Sequence, residues 1–72
     1  MNSITKKEIN RVVKYLQNKF PDAYLETIEK AILFSVKNND GLILFDSFEQ
    51  YVNFNFGRFM LKQKMEENRR KN

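Results

Sequence analysis

Between residues 9 and 20, large apolar side chains stand at Ile9, Val12, Val13, Leu16 and Phe20, and the chain's single proline follows at Pro21. Spacings of three, four and seven place those side chains along one side of an α-helix, and no other regular structure does so. Thr5 and Glu8 precede the run at the separation of a capping box, in which a hydroxyl caps the backbone and a carboxylate three residues on reaches back. Pro21 lacks an N–H and disfavours helical geometry at Phe20, so it ends the segment or opens the next. A first helix is expected over about residues 5–19.

A second helix is expected over about 22–38. Tyr24, Leu25, Ile28, Ala31, Ile32 and Val36 form a wide apolar face, which Leu33 and Phe34 widen further. It is the expected centre of the domain. Asn38-Asn39-Asp40-Gly41 supplies residues that tolerate left-handed backbone, a common way for a helix to end. Residues 42–45, Leu-Ile-Leu-Phe, then read as a short extended connector laid across the core, or as a strand if a second subunit pairs with it. Asp46 and Glu49 have capping-box spacing and open a third helix over about 46–69. The fold class expected is therefore all-α, a single three-helix domain over 1–72 with a basic tail at about 66–72.

The third helix carries two apolar stripes. Turning about 100° per residue, Phe48, Val52, Phe56, Phe59 and Met60 share one arc, and Tyr51, Phe54, Leu61 and Met65 share another. A chain of 72 residues buries a smaller share of its surface than larger domains do, so covering both stripes from within is demanding. The second stripe is read as a dimer seam or partner interface, and a homodimer is expected. Gly57 lies within this helix at a cost of about 1 kcal/mol relative to alanine, which close approach of another helix or a kink would explain.

Chains this small often recruit disulfides or a metal, but Cys and His are both absent. No structural zinc site has its usual ligands, and the commonest general base and thiol nucleophile are missing as well. Asp22, Glu26 and Glu29 lie on neighbouring turns and read as solvated charge, adjacent Glu66 and Glu67 point apart, and the two glycines build no phosphate loop. No enzymatic activity, cofactor, metal or small-molecule substrate is expected. The longest apolar runs are four residues, far short of the roughly 20 that span a bilayer. No secretory leader is recognisable, so a soluble cytoplasmic protein is expected. The bias towards Lys, Asn, Ile and Phe suits an AT-rich genome, such as that of a low-GC bacterium or a mobile element.

The net charge of +4 is unevenly spread. Residues 1–19 and 58–72 are each +4, and the middle is −4. Acids at helix starts and bases at helix ends follow from the helix dipole alone. Even so, Arg58, Lys62, Lys64, Arg69, Arg70 and Lys71 are the best candidates for contact with nucleic acid or an acidic partner, because cations that neutralise phosphates release counterions.

The order of features over residues 22–71 resembles region two of bacterial sigma factors. Pro21-Asp22-Ala23 leads to Ala31-Ile32-Leu33, followed by Asp46-Ser47-Phe48, Tyr51-Val52 and Arg69-Arg70-Lys71. Leu25-Glu26 stands for that family's clamp-binding signature, and the Arg-Asn step usual in its last helix is missing. The resemblance implies RNA polymerase and promoter DNA as partners. In organisation alone the chain is also similar to small dimeric helix-loop-helix scaffolding proteins of phages and phage satellites, whose basic C-terminal helix grips the inside of a capsid. The leading expectation is a non-enzymatic regulatory module that binds nucleic acid or the transcription machinery. The alternative is a dimeric adaptor or scaffold with a protein partner.

Overall fold

The computed structural model describes residues 4–70, in which the chain is all-α: α1 spans Lys6–Lys19, α2 Leu25–Lys37 and α3 Phe48–Arg70, with a 3₁₀ segment Asn39–Leu44 between α2 and α3. No described helix is long and apolar enough to cross a membrane.

Helix α1 starts at the Thr5 cap that its sequence predicts, but the Glu8 carboxylate turns to Arg11 instead of reaching back to Thr5. Thr5 has extended backbone, and its Oγ1 accepts from Glu8 N–H at 3.1 Å, while the Glu8 carboxylate lies 3.7 Å from Arg11 Nη2. Val12 and Leu16 are fully buried, and Ile9, Val13 and Phe20 pack against the same core.

Helix α2 begins at Leu25, three residues later than its apolar pattern suggests. Residues 21–24 form a turn, closed by Ala23 N–H donating to Phe20 C=O at 3.0 Å. The buried side of α2 is also narrower than expected. Ile28, Ala31 and Ile32 fill it together with Thr27 and Ser35, whereas Tyr24, Leu25, Leu33 and Val36 are exposed. The polar pair is buried because α3 supplies partners. Ser35 Oγ donates to Ala31 C=O at 2.8 Å and accepts from Asn55 Nδ2 at 2.8 Å.

The link between α2 and α3 corrects two expectations. No described residue, glycine included, has positive φ, so the Asn-Asn-Asp-Gly cluster does not act through left-handed backbone. Asn38 instead ties off α2 by donating its N–H at 3.0 Å and its Nδ2 at 2.9 Å to Phe34 C=O. The chain then winds into the 3₁₀ segment, so the expected extended connector at 42–45 is helical through Leu44. Only Leu42 of this run reaches the core, while Ile43 and Leu44 are 86% and 81% exposed.

Gly41 is required here for space. A Cβ built on it would lie 2.6 Å from Tyr51 Oη, a hydroxyl held in place by donating to Asn38 C=O. Gly41→Ala is expected to destabilise the fold by about 1–3 kcal/mol as that contact is forced apart. Denaturant unfolding of the variant, compared with a Gly41→Ala/Tyr51→Phe double variant that removes the clashing hydroxyl, checks this.

Helix α3 is capped one residue later than predicted. Ser47 Oγ accepts from Gln50 N–H at 3.1 Å, and Gln50 Oε1 accepts from Asp46 N–H at 3.3 Å, so Ser47 and Gln50 replace Asp46 and Glu49 as the capping pair. At 23 residues α3 is about 35 Å long, whereas α1 and α2, with 14 and 13 residues, reach only about 20 Å each. Two short helices cannot sheathe a long one, so one flank of α3 stays open.

Candidate interaction surface on the third helix

The inner face of α3 presents Phe48, Val52 and Phe56, all buried, with Phe59 and Met60 packed at its edge. Phe56 meets Phe20, the residue that caps the end of α1, with ring centroids 4.9 Å apart, and Phe59 meets Phe34 of α2 edge-on at 5.7 Å. This is the first of the two stripes read from the sequence. Two polar residues also belong to it, Asn55 and Gln63, each 6% exposed.

Gln63 works as a latch between α3 and the turn before α2. Its Oε1 accepts from Thr27 Oγ1 at 2.6 Å and from Tyr24 N–H at 3.0 Å, and its Nε2 donates to Asp22 C=O at 2.9 Å. One turn further on, Tyr24 Oη donates to Glu67 Oε2 at 2.6 Å. That hydrogen bond is the main reason the phenol is held above its usual pKa. Desolvation and the Glu67 charge act in the same direction, and Arg70 opposes them. Periodicity places Asn55 and Gln63 among the apolar positions of the inner arc, but only the packing of α2 shows that they are enclosed there.

The second stripe divides. Tyr51, expected at the interface, is only 6% exposed and belongs to the core side, because it lies at the border between the arcs and its hydroxyl reaches back to the end of α2. Phe54, Leu61 and Met65 remain open, at 67%, 64% and 56% exposure. Their positions agree within about 40° of rotation. The stripe is extended by a residue that sequence reasoning assigned to the connector across the core: the Phe45 ring sits 5.2 Å from Phe54 and 5.1 Å from Tyr51. Gly57 is exposed next to this stripe, and a Cβ there would meet nothing within 4 Å. Its own chain therefore supplies no packing reason for a glycine.

The six cations expected to act together are not a single patch. Arg58, Lys62 and Arg69 share one edge of α3, within about 40° of rotation. Among the described residues none of the three forms an ion pair, although the Arg58 guanidinium lies 5.4 Å from the Phe34 ring centroid. Lys64 is on the opposite side of the stripe, 3.9 Å from Glu67. Arg70 faces the groove between α2 and α3, alongside Tyr24, Lys62 and Glu66. Lys71 lies outside the described residues. The C-terminal half of α3 thus mixes both signs of charge, and its most continuous feature is apolar.

Comparisons with protein-family models, with curated proteins and with solved structures find no match for this chain.

Proposed function

We propose that this chain is a non-enzymatic helical adaptor that binds a protein through the open flank of α3. The observation that carries this reading is the exposure of Phe54, Leu61 and Met65 along one line of a helix whose opposite side is already filled by the core. Apolar side chains scattered singly on a surface are ordinary, but large ones aligned on one helix face, each more than half exposed, mark an interaction site. Docking would remove them from water at roughly 25 cal/mol per Å² of apolar surface. Arg58, Lys62 and Arg69 rim the stripe and favour a partner with acidic groups around an apolar centre.

A second reading rests on the same cationic edge. Three cations that form no ion pair among the described residues, on one side of a helix, suit a nucleic-acid backbone, and the chain would then act as a regulatory module on nucleic acid or the transcription machinery.

One experiment separates the two. The tagged chain is used for capture from a lysate of its host at about 50 mM and about 200 mM salt, beside Leu61→Glu and a control charge change on the exposed side of α1, Lys14→Glu. The adaptor reading expects a protein retained at both salt concentrations, kept by Lys14→Glu and lost with Leu61→Glu. Nucleic acid that is captured only at the lower salt, and is indifferent to Leu61→Glu, would replace it with the second reading, since phosphate contacts weaken steeply with salt.

A further inference from the structure

The open flank of α3 has a pattern that fits itself when reversed. Resting on the adaptor reading above, we infer that it is the interface for a second copy of this chain, packed antiparallel across a two-fold axis midway between Gly57 and Leu61. Three observations lead there.

Size comes first. Phe54, Gly57, Leu61 and Lys64 succeed one another at spacings of three and four along the exposed face, the seam geometry of paired helices. Reversing the helix about the midpoint sets the partner's Leu61 over Gly57 and sets Gly57 under Leu61, so each leucine lands where the other copy has no side chain. The same operation brings Phe54 against the partner's Lys64, whose alkyl stem can cover the ring, and Gln50 against the partner's Asn68. Gly57 thereby acquires the reason its own chain does not supply.

Charge selects the direction. Residues 46–57 hold Asp46 and Glu49 and no cation, while residues 58–70 hold five cations against Glu66 and Glu67. Parallel pairing would set the basic halves side by side. Antiparallel pairing sets each against an acidic half and also opposes the helix dipoles. Arg58, the cation nearest the axis, is drawn aside over the Phe34 ring, which keeps the two copies' guanidinium groups apart.

A hydrogen-bond deficit lies at the same place. Asn53 Oδ1 is enclosed yet has no donor, and it lies in the wall of a shallow groove of about 380 Å³ that Phe20, Gly57, Leu61 and Lys64 also line. The antiparallel register brings the partner's Lys64 to that end of the groove, with an ammonium able to donate.

The chain has no cysteine, so single thiols report the register without background. Light scattering after size exclusion at roughly 100 µM chain is expected to give twice the chain mass. Under mild oxidation an equimolar mixture of Phe54→Cys and Lys64→Cys is expected to form the mixed disulfide in preference to either homodimeric one. Gly57→Ala is expected to raise the melting temperature of the dilute chain, because alanine is the better helix former and its Cβ meets nothing. The same change is expected to weaken the dimer about tenfold, because that Cβ would meet the partner's Leu61. A preference for homodimeric disulfides, or a dimer indifferent to Gly57→Ala, overturns the antiparallel assignment. A monomer that still captures a different protein through Leu61 also overturns it and leaves the adaptor reading in place.

Discussion

Phe56→Ala is expected to destabilise the protein by about 3–5 kcal/mol, the usual cost of emptying an aromatic site in a packed core. Phe56 is the largest side chain that is fully buried, and its ring lies against Phe20, so it joins the end of α1 to the middle of α3. Total stability for 72 residues is on the order of 4–11 kcal/mol, so the loss takes a large part of what a chain of this size has. Far-UV circular dichroism at 25 °C should show the variant largely unfolded or melting tens of degrees earlier. Phe54→Ala is the informative companion. It is the same chemical change two residues away on the open flank, where the ring is mostly in water, and its effect on the dilute chain is expected to stay within about 1 kcal/mol. Equal losses at the two positions would mean that the flank taken here as open is covered by the chain itself.

The second large effect is expected at Gln63. Gln63→Ala removes three short hydrogen bonds and a longer fourth to Glu67 Oε2 at 3.5 Å, and leaves Thr27 Oγ1, Tyr24 N–H and Asp22 C=O to find other partners beside a side chain that is mostly closed to water. At about 1 kcal/mol for each bond, the expected loss is about 2–3 kcal/mol. Amide hydrogen exchange gives the more specific reading, because the Tyr24 N–H is satisfied by Gln63 and has no helical acceptor before it. Its protection should fall towards that of an open turn while the amides around Val12 and Leu16 keep theirs. The Tyr24–Glu67 bond depends on the same alignment of α3 with the turn, so the raised phenol pKa should relax towards its ordinary value. Undiminished Tyr24 protection in the variant would show that the turn holds itself and that Gln63 only decorates it.

Gln63 also marks how far the sequence can be read. Asn55 and Gln63 are polar letters inside an apolar period, and by composition they belong on the surface. They are buried because Ser35, Thr27 and the turn at residues 22–24 meet them, across sequence separations of 20 to 41. The open flank was legible in part. Leu61 and Met65 stand where a helical wheel puts them, but Tyr51, at the border between the two arcs, could be assigned only after the end of α2 was in place to accept its hydroxyl. Ile43 and Leu44 misled for a related reason. Four apolar residues in a row look destined for a core, yet the 3₁₀ turn gives the core only Leu42 and hands the next two to solvent.

What the amino-acid order determined alone were features settled within a turn or two of chain: three helices, the Thr5 cap, the stop at Pro21, the inner stripe of α3 and the excess of apolar surface on that helix. Each depends on residues three or four apart, where backbone hydrogen bonding and side-chain direction are decided locally. Tertiary structure alone decided which border residues are covered, which polar groups are latched inside and which flank stays bare. Those outcomes turn on whether a helix many residues away is long enough, and near enough, to shut out water.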